Sequence, residues 1–255
     1  MNVTLITHTP LPEKTVAAAA KLCYSDSGVD TLMENMSEER AEQFVDMLAG
    51  FGHESPVEHV TFTFGIEGVS RSLLAQITRH RIASFSVQSQ RYVKMNHFEF
   101  ITPPAIAEDA EAAAIYQKSM DDAIKAYHDL ADRLQARYIP QLLEQGLSEK
   151  AAKSKAEKMA IEDARFVLPN ACETKMVMTM NVRSLRNFFR LRCCSRAQWE
   201  IRAVATEMLR LCCKAAPALF RTAGPSCCCG SCTEGKMSCG KAKEVRERFE
   251  VMRSE

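Results

Sequence analysis

The sequence lacks the long apolar runs and the strong net charge that would suggest a membrane or a nucleic-acid partner. No stretch of about 18 uncharged apolar residues occurs, and the N-terminus has no basic region followed by an apolar run. Its 33 lysines and arginines nearly balance 32 aspartates and glutamates, so the net charge is +1. These absences predict a soluble cytoplasmic enzyme with no membrane or nucleic-acid partner, in which any anion site is local.

Internal repeats, low-complexity linkers and a sharp domain boundary are absent as well. Hydrophobic residues make up 46% of the chain, which is enough to bury a sizeable core. The pattern predicts an α+β fold in which helices pack around a modest, mainly antiparallel sheet. We expect residues 1–223 to form one domain and residues 224–255 to form a cysteine-rich C-terminal extension.

Apolar periodicity and helix breakers place the secondary structure along the chain. Strands are predicted over residues 2–7, 60–66, 92–100 and 175–181. The main predicted helices cover residues 70–78, 105–138, 149–166, 185–192 and 197–216. Shorter helices are expected up to Cys23 and after Ser37. We expect Ser37, Ser148 and Ser184 to cap helices, and Pro140 to close the long one.

The segment from Arg79 to Tyr92 combines three arginines, a histidine and three serines with few apolar residues. Guanidinium groups are rarely buried unless they are paired, and their forks fit phosphate or carboxylate oxygens. The residues alone leave two interpretations open, an anion site or a solvated loop whose arginines meet carboxylates elsewhere.

A second group of arginines lies about a hundred residues further along the chain. On a helix, Arg183, Asn187 and Arg190 share one face, and asparagine can read the edge of a planar heterocycle. By itself this face is equally typical of a solvated basic surface. Two such segments favour convergence on one or two anionic ligands.

Spacing within the first segment carries a family resemblance. Arg79-His80-Arg81, then seven residues and Ser89, with Ser84 and Arg91 in place, resembles the defining motif of the flavin-dependent thymidylate synthases. Supporting matches occur in residues 52–59, 181–192 and 197–202. The similarity covers roughly the first 220 residues in matching order.

The resemblance implies a flavoprotein methyltransferase of nucleotide biosynthesis. Such an enzyme makes dTMP by reductive methylation of dUMP, takes the carbon from 5,10-methylenetetrahydrofolate and releases tetrahydrofolate. FAD carries the hydride and NADPH reduces the flavin, so dUMP, folate and NADPH are the expected partners. The family implies a homotetramer with sites shared between subunits.

Positional matches imply a division of the site residues. Those expected to contact FAD are Ser55, Arg79, His80, Arg81, Val87, Asn181, Val182, Arg183 and Asn187, with His53 near the flavin ring. Those expected to hold dUMP are Gln76, Ile77, Thr78, Arg79, Val87, Gln88, Ser89, Gln90, Arg91, Arg165 and Arg192. Arg192 is the expected catalytic residue, because its charge would stabilise the uracil as carbon 5 becomes nucleophilic.

Three positions depart from the family pattern. Ser86 and Val87 stand where an asparagine and an acidic residue are usual, and Arg196 stands where a histidine is often found. Nucleophilic roles for Ser89 or for Cys193 and Cys194 are disfavoured, because no histidine base is fixed beside the serine in sequence and buried thiols are commonly inert.

Metal binding is considered at two places. His53, Glu54, Glu58 and His59 match no helical zinc pattern, so no metal is expected there. For the five cysteines at 227, 228, 229, 232 and 239, a zinc site, an iron–sulfur site and a mobile tail with reactive thiols all stay open.

The alternative function is a non-catalytic RNA-binding module that uses the arginine clusters. The neutral total charge and the lack of an aromatic stacking platform beside the arginines disfavour it.

Overall fold

A computed structural model describes residues 1–91 and 99–254 of the chain. Four strands in these ranges form one antiparallel sheet in the order β1-β2-β4-β3. The strands are β1 Asn2–His8, β2 Thr61–Ser70, β3 Ser84–Val87 and β4 Glu173–Asn181. The predicted α+β class is therefore confirmed. Most of the predicted strand at 92–100 lies outside the described residues, and so does Tyr92.

Alternation of buried residues explains why two of the strands form. In β2, Phe62, Phe64 and Ile66 are fully buried, while the residues between them are more exposed. In β4 the buried residues include Met176, Met178 and Met180, which confirms that these methionines pack in the core.

Eleven α-helices occur in the described residues. They are α1 Pro12–Leu22, α2 Val29–Glu34, α3 Glu38–Gly50, α4 Arg71–Ile77, α5 Pro104–Ala107, α6 Ala110–Glu144, α7 Glu149–Ala164, α8 Val182–Arg192, α9 Trp199–Ala215, α10 Pro217–Phe220 and α11 Ala242–Ser254. Ser37 and Ser148 cap α3 and α7 by accepting hydrogen bonds from backbone N–H groups, as predicted. No helix among these residues is long and apolar enough to cross a membrane.

Two predicted helix boundaries are wrong. Asp109 caps α6, which runs through Pro140 to Glu144. A proline this close to the C-terminal end removes one backbone donor from the last turns and does not stop the helix. Ser184 does not cap α8, because Asn181 accepts a 2.8 Å bond from the Ser184 N–H and the helix begins at Val182.

The chain divides into two compact units. Unit 1 contains residues Met1–Glu67, Ala75–Ser86 and Met176–Glu255. In part of its core, the ring of Phe220 packs edge-on against two other phenylalanine rings. The ring centroids are 5.3 Å apart for Phe62 and Phe220 and 6.0 Å apart for Phe189 and Phe220.

Unit 2 contains residues Gly68–Leu74 and Val87–Lys175. Its largest feature is a hairpin of α6 and α7, which bury Tyr127, Ala131, Ile161 and Ala164 against one another. Small alanines on α7 allow the two helices to approach closely.

Candidate active site

The junction of β4 and α8 positions the second arginine group in unit 1. Asn181 ends the strand and caps the helix, and the Val182 N–H donates a 2.9 Å bond to the carbonyl of Val60. Both contacts fix where α8 begins. Arg183 and Asn187 therefore point from a helix whose start is held in place.

A cleft of about 490 Å³ opens beside this junction, and we call it the His80 cleft. Its lining residues are Glu58, His80, Arg81, Ile82, Asn181, Arg183, Ser184 and Asn187. Five of them, His80, Arg81, Asn181, Arg183 and Asn187, are residues expected to contact FAD. Side chains from residues a hundred positions apart therefore meet here, as predicted from the two arginine segments.

A second cleft of about 470 Å³ shares Arg183 and Asn187 with the first. We call it the His53 cleft, after the residue expected near the flavin ring. It is also lined by Ala49, Gly52, His53, Glu54, Arg186, Arg190, Thr222, Ala223, Gly224 and Cys229.

Arg183 is paired with two carboxylates. Its Nε lies 3.3 Å from Glu54 Oε2, and its Nη1 donates to Glu58. The hydrogen bond and charge of Glu58 raise the pKa of Arg183. Arg183 therefore stands on an exposed face of α8, but it is paired with carboxylates there.

The other α8 arginines have different surroundings. The fork of Arg186 donates two bonds, of 3.0 and 2.7 Å, to the carbonyl of Leu219 and so ties α8 to α10. Arg190 donates a 2.9 Å bond to Asn187 Oδ1. Asn187 uses its amide oxygen for this bond.

Arg192 and His80 meet across 112 positions of sequence. The Nε of Arg192 donates a 3.1 Å bond to His80 Nε2, and the His80 ring packs edge-on against Phe188 at 4.9 Å. Burial and the charge of Arg192 lower the pKa of His80. Because Nε2 accepts the bond, the imidazole is neutral and carries its proton on Nδ1.

Burial and the charge of Arg79 lower the pKa of Arg192, yet a guanidinium stays charged at neutral pH. The charged guanidinium of Arg192 is therefore held against the neutral imidazole of His80, and the second nearby arginine is Arg79.

The residues after β3, expected to hold dUMP, lie in unit 2. The Gln88 N–H donates a 3.0 Å bond to the carbonyl of Lys175, and the hydroxyl of Ser89 accepts a 3.1 Å bond from the Arg91 N–H. Gln90 is 9% exposed, and its Nε2 has no hydrogen-bond partner among the described residues.

Arg91 and Arg165 both contact Glu162 in the last turn of α7. Arg91 Nη2 lies 2.8 Å from the Glu162 carboxylate, and Arg165 Nε donates a 3.0 Å bond to the Glu162 carbonyl. Two residues expected to hold dUMP are therefore brought together within unit 2.

The expected site residues differ in how far their side chains are exposed to solvent. Ile77 and Val182 are fully buried in the core, and Val87 is half-buried at the end of β3. Ser55, Thr78, Arg79 and Arg81 are exposed, and the Gln76 carbonyl accepts a 3.4 Å bond from the Arg79 N–H.

The family model described as "Thymidylate synthase complementing protein" matches residues 4–218. The chain belongs to this family. The flavin-dependent thymidylate synthase of Clostridium tetani is 54% identical over 249 residues, which are 98% of this chain and 97% of the relative. The same-named proteins of Geobacter sulfurreducens and Pyrococcus abyssi are 45% identical over 99% and 38% identical over 98% of this chain, covering 99% and 96% of the relatives.

Membership of the thymidylate synthase complementing protein family confirms the resemblance that Arg79-His80-Arg81 and Ser89 indicate. It also confirms the prediction of an enzyme, because the named relatives are synthases. Nothing in these names supports the alternative of an RNA-binding module.

Sequence reasoning missed several members of this family's candidate site. Ile82 and Ser184 line the His80 cleft, and Glu162 joins Arg91 to Arg165. No site role is predicted for Glu54 and Glu58 beyond a metal-binding role that their spacing disfavours, whereas the structure makes them partners of Arg183.

The cysteines beside Arg192 differ in burial. Cys193 is fully buried, which raises its pKa, whereas Cys194 is partly exposed. A thiol held protonated in the core is unsuited to attack a pyrimidine. This supports the expectation that Cys193 is not the nucleophile.

The cysteine-rich tail is folded onto unit 1. Arg246 donates bonds of 2.6 and 2.9 Å to the carbonyls of Cys227 and Gly230, and Arg253 donates one of 2.6 Å to Ala223. Val245 and Phe249 of α11 are buried. Of the alternatives left open for the tail, a mobile segment is disfavoured, because residues 224–254 are held by these contacts.

The tail's cysteines are free thiols. Across residues 1–91 and 99–254, no group of three or more His, Cys, Asp or Glu side chains is placed to hold a metal ion.

Proposed function

We propose that the chain makes dTMP from dUMP as a flavin-dependent thymidylate synthase. In this reaction dUMP, 5,10-methylenetetrahydrofolate, NADPH and a proton give dTMP, tetrahydrofolate and NADP⁺. Family membership supports the reaction class. The observation that carries the proposal is the bond between Arg192 and His80, which joins the end of α8 to the Arg79-His80-Arg81 motif.

The two clefts of unit 1 suit FAD in chemistry and size. Each has a volume within the range of about 300–1,000 Å³ that is typical of ligand pockets. Arginine forks and asparagine amides supply donors for a pyrophosphate and for the edge of a flavin ring. The residues proposed to hold FAD are Ser55, Arg79, His80, Arg81, Val87, Asn181, Val182, Arg183 and Asn187, with His53 beside the ring.

FAD would supply the hydride, which NADPH delivers to it. Phosphate binding at Arg183 requires the guanidinium to leave Glu58 or Glu54, at least in part. Because both pairs are largely exposed to solvent, this exchange costs little.

We propose that one group of residues holds the phosphate of dUMP and another group holds its base. Ser89, Gln90, Arg91 and Arg165 would hold the phosphate, and Gln76 and Arg192 would hold the uracil. Ile77, Thr78, Val87 and Gln88 would contribute through their backbone. The tetramer implied by the family allows different subunits to supply parts of one site.

Arg192 would stabilise the negative charge that develops on uracil when carbon 5 becomes nucleophilic. The bond to neutral His80 fixes its guanidinium before substrate binds, so little reorganisation is needed during the reaction. Proton loss from carbon 5 completes the exchange for the new methyl group.

The three departures from the family pattern fit this scheme with small changes. Ser86 is exposed and Val87 is half-buried on β3, so backbone atoms at these positions would make the contacts. Arg196 is exposed and would add positive charge near a reduced, anionic flavin.

We also propose a cytoplasmic location and a domain boundary near residue 223. The alignment with the Clostridium relative covers 98% of the chain and so includes most of the tail.

Tritium release tests the reaction directly. Flavin-loaded protein is mixed with dUMP labelled with tritium at carbon 5, together with 5,10-methylenetetrahydrofolate and NADPH. We expect tritium in water and dTMP in equal amounts, and loss of dTMP when either cosubstrate is omitted. If flavin that has been reduced chemically still gives no release, the assignment is wrong.

Colour and salt response separate the enzyme from the RNA-binding alternative. A yellow protein bleached by NADPH supports the synthase. A colourless protein with salt-sensitive RNA affinity supports the module.

A further inference from the structure

The cysteine-rich tail contains a closed loop, residues 226–233, and none of its residues is proposed to bind FAD or dUMP. We propose that Cys227 and Cys232, at the neck of this loop, are a redox modification site. A low-molecular-weight disulfide such as oxidised glutathione would oxidise the two thiols to an intramolecular disulfide bond. The proposal concerns the tail of unit 1 and does not depend on the reaction proposed above.

Side-chain hydrogen bonds close the loop at its two ends. The hydroxyl of Ser226 accepts a 3.4 Å bond from the Thr233 N–H and a 3.1 Å bond from the Thr233 hydroxyl. Cys227 and Cys232 are the next residues inward from these two ends. The contacts that close the loop therefore also bring the two cysteines towards each other.

Arg246 of α11 holds the same loop from the other side. It donates a 2.6 Å bond to the carbonyl of Cys227 and a 2.9 Å bond to the carbonyl of Gly230. Phe249, one helical turn further along α11, is buried, so the arginine projects from a helix that is packed in place. Because the loop is already closed, little chain entropy is lost when a bond forms across its neck.

The two cysteines that follow Cys227 face different surroundings. The sulfur of Cys228 lies 3.6 Å from the point that a Cβ on Gly224 would occupy. The thiol of Cys229 donates a 2.6 Å bond to the carbonyl of Thr222. These contacts commit Cys228 and Cys229 to other parts of unit 1 and leave Cys227 as the member of the run that meets Cys232.

Other thiols surround Cys227. Burial raises the pKa of Cys227, and interactions with Cys194, Cys232 and Cys239 raise it further. No three of these side chains are placed to hold a metal ion in the described part of the chain. Disulfide formation needs only two sulfurs, and Cys232 is the neighbour that the closed loop joins to Cys227.

The difference in exposure between the two thiols sets the order of the steps. Cys232 is partly exposed, whereas Cys227 is buried. The Cys232 thiolate attacks one sulfur of the small disulfide and expels one small thiolate. Cys227 then loses its proton, attacks the sulfur of Cys232 and expels the second small thiolate. Two protein thiols have then been oxidised by two electrons, and one small disulfide has been reduced to two thiols.

The loop connects this site to the His53 cleft. Cys229 lies between the two proposed partners in sequence and lines that cleft. A bond across the neck would therefore restrain one wall of the cleft. In a reducing compartment such a disulfide is transient, which suits a regulatory role better than a structural one.

We would test the proposal by equilibrating full-length protein in glutathione buffers of graded ratio. Remaining thiols are blocked with iodoacetamide, and fragmentation of the peptides identifies the bonded sulfurs. Cys232→Ser removes the first attacking thiol. Cys239→Ser, at an exposed position of the same tail, is the matched control. Zinc content is measured on the same samples.

We expect the wild type to lose two thiols together and the bond to join Cys227 to Cys232. Cys239→Ser should do the same at the same glutathione ratio, and Cys232→Ser should form no bond within the loop. The pair should oxidise at a glutathione disulfide concentration at least about tenfold below that which modifies Cys229, because the two thiols have a mutual effective concentration in the millimolar range or above.

Three results would overturn the proposal, and the first needs no variant. In the wild type, the bond joins other cysteines or only mixed disulfides with glutathione form. In Cys232→Ser, two thiols of the loop are lost as readily as in the wild type. In the third, each chain holds a zinc ion that must be removed before the thiols react, so that they are metal ligands. Failure of the proposed enzyme looks different, since the disulfide would still form and only tritium release would be missing.

Discussion

Arg183 in unit 1 and Arg71 in unit 2 are arginines with opposite surroundings. Arg183 is exposed and paired with Glu54 and Glu58. Arg71 has a buried nitrogen with no hydrogen-bond partner among the described residues, and the charge of Arg165 acts on it. An arginine's presence in a motif thus says little about its readiness for a ligand, whereas its existing partners say much.

The difference predicts two kinds of binding. A ligand at Arg183 competes with carboxylates that are already there, so its affinity reflects an exchange. An acceptor that reached the buried nitrogen of Arg71 would instead displace no carboxylate and would relieve an existing penalty. The changes below test this contrast, beginning with the largest expected effect.

Arg192→Ala should reduce turnover by about 10²–10³-fold, the typical loss for one preorganised donor. FAD content should stay near that of the wild type, because the two clefts of unit 1 that are proposed to hold FAD keep Arg183 and Asn187. Single-turnover kinetics and flavin absorbance measure the two quantities.

Arg192→Lys keeps the charge but loses the fork, so it should recover part of the rate. Loss of flavin from Arg192→Ala would instead show that the residue is structural. The comparison of the two arginines would then also have to take into account how Arg192 stabilises α8.

Ser89→Ala should weaken dUMP binding by about tenfold, since one hydrogen bond to a charged group is lost. Turnover at saturating dUMP should remain measurable, because Ser89 is proposed to bind and not to react. Steady-state kinetics separate the two effects.

Ser119→Ala on α6 is the matched control for Ser89, since its hydroxyl only donates to the Ile115 carbonyl. Complete inactivity of Ser89→Ala with normal dUMP affinity would point to a nucleophilic serine.

Glu58→Gln should strengthen FAD binding by about two- to fivefold, the range expected from an exposed ion pair. The change removes a competitor for Arg183 and keeps the shape of the side chain. Fluorescence titration of flavin-free protein at low and moderate salt measures it, with Glu144→Gln as a control far along the chain.

Weaker FAD binding by Glu58→Gln would show that the carboxylate positions Arg183 and does not compete with the ligand. The two arginine sites would then be more alike than their partners suggest.

The smallest expected effect is on the pH dependence of stability, through His80. Its folded-state pKa is lowered, so between that value and the unfolded value of about 6.5 only the unfolded state binds the proton. The contribution is fully present above about pH 6.5 and is lost as the pH falls through the folded-state pKa. Urea unfolding between pH 5 and 8 measures it.

His80→Gln should lose less stability than the wild type over that interval, because its amide does not titrate. Parallel curves for the two proteins would mean that the bond from Arg192 persists with a protonated ring.

The sequence predicts which residues gather in one cleft better than it predicts their hydrogen-bond and ion-pair partners. Arg79 to Arg81 and Arg183 to Asn187 could be brought together from motif spacing, and the structure places several of them in one cleft. Asn181 was missed as the cap of α8 because a strand running straight into a helix leaves no loop, and the next serine looked equally suitable.

Electrostatic pairing was harder to predict for a physical reason. Glu162 lies 71 positions from Arg91, and Glu58 lies 125 from Arg183, so no local pattern links either pair. The lack of a hydrogen-bond partner for Arg71 Nη1 among the described residues was unpredictable in the same way, because it depends on the burial of one nitrogen atom.

The alkylation rate of the deeply buried thiols of unit 1 can report how often its core opens. Cys193 and Cys212 are fully buried, and burial raises the pKa of both. An alkylating reagent at neutral pH will therefore find neither a thiolate nor a path to these sulfurs while the core is closed. Their labelling rate, read by mass spectrometry peptide by peptide, reports transient unfolding of α9 and its neighbours. The same measurement with and without a nucleotide would give the free energy that the ligand adds to the closed state.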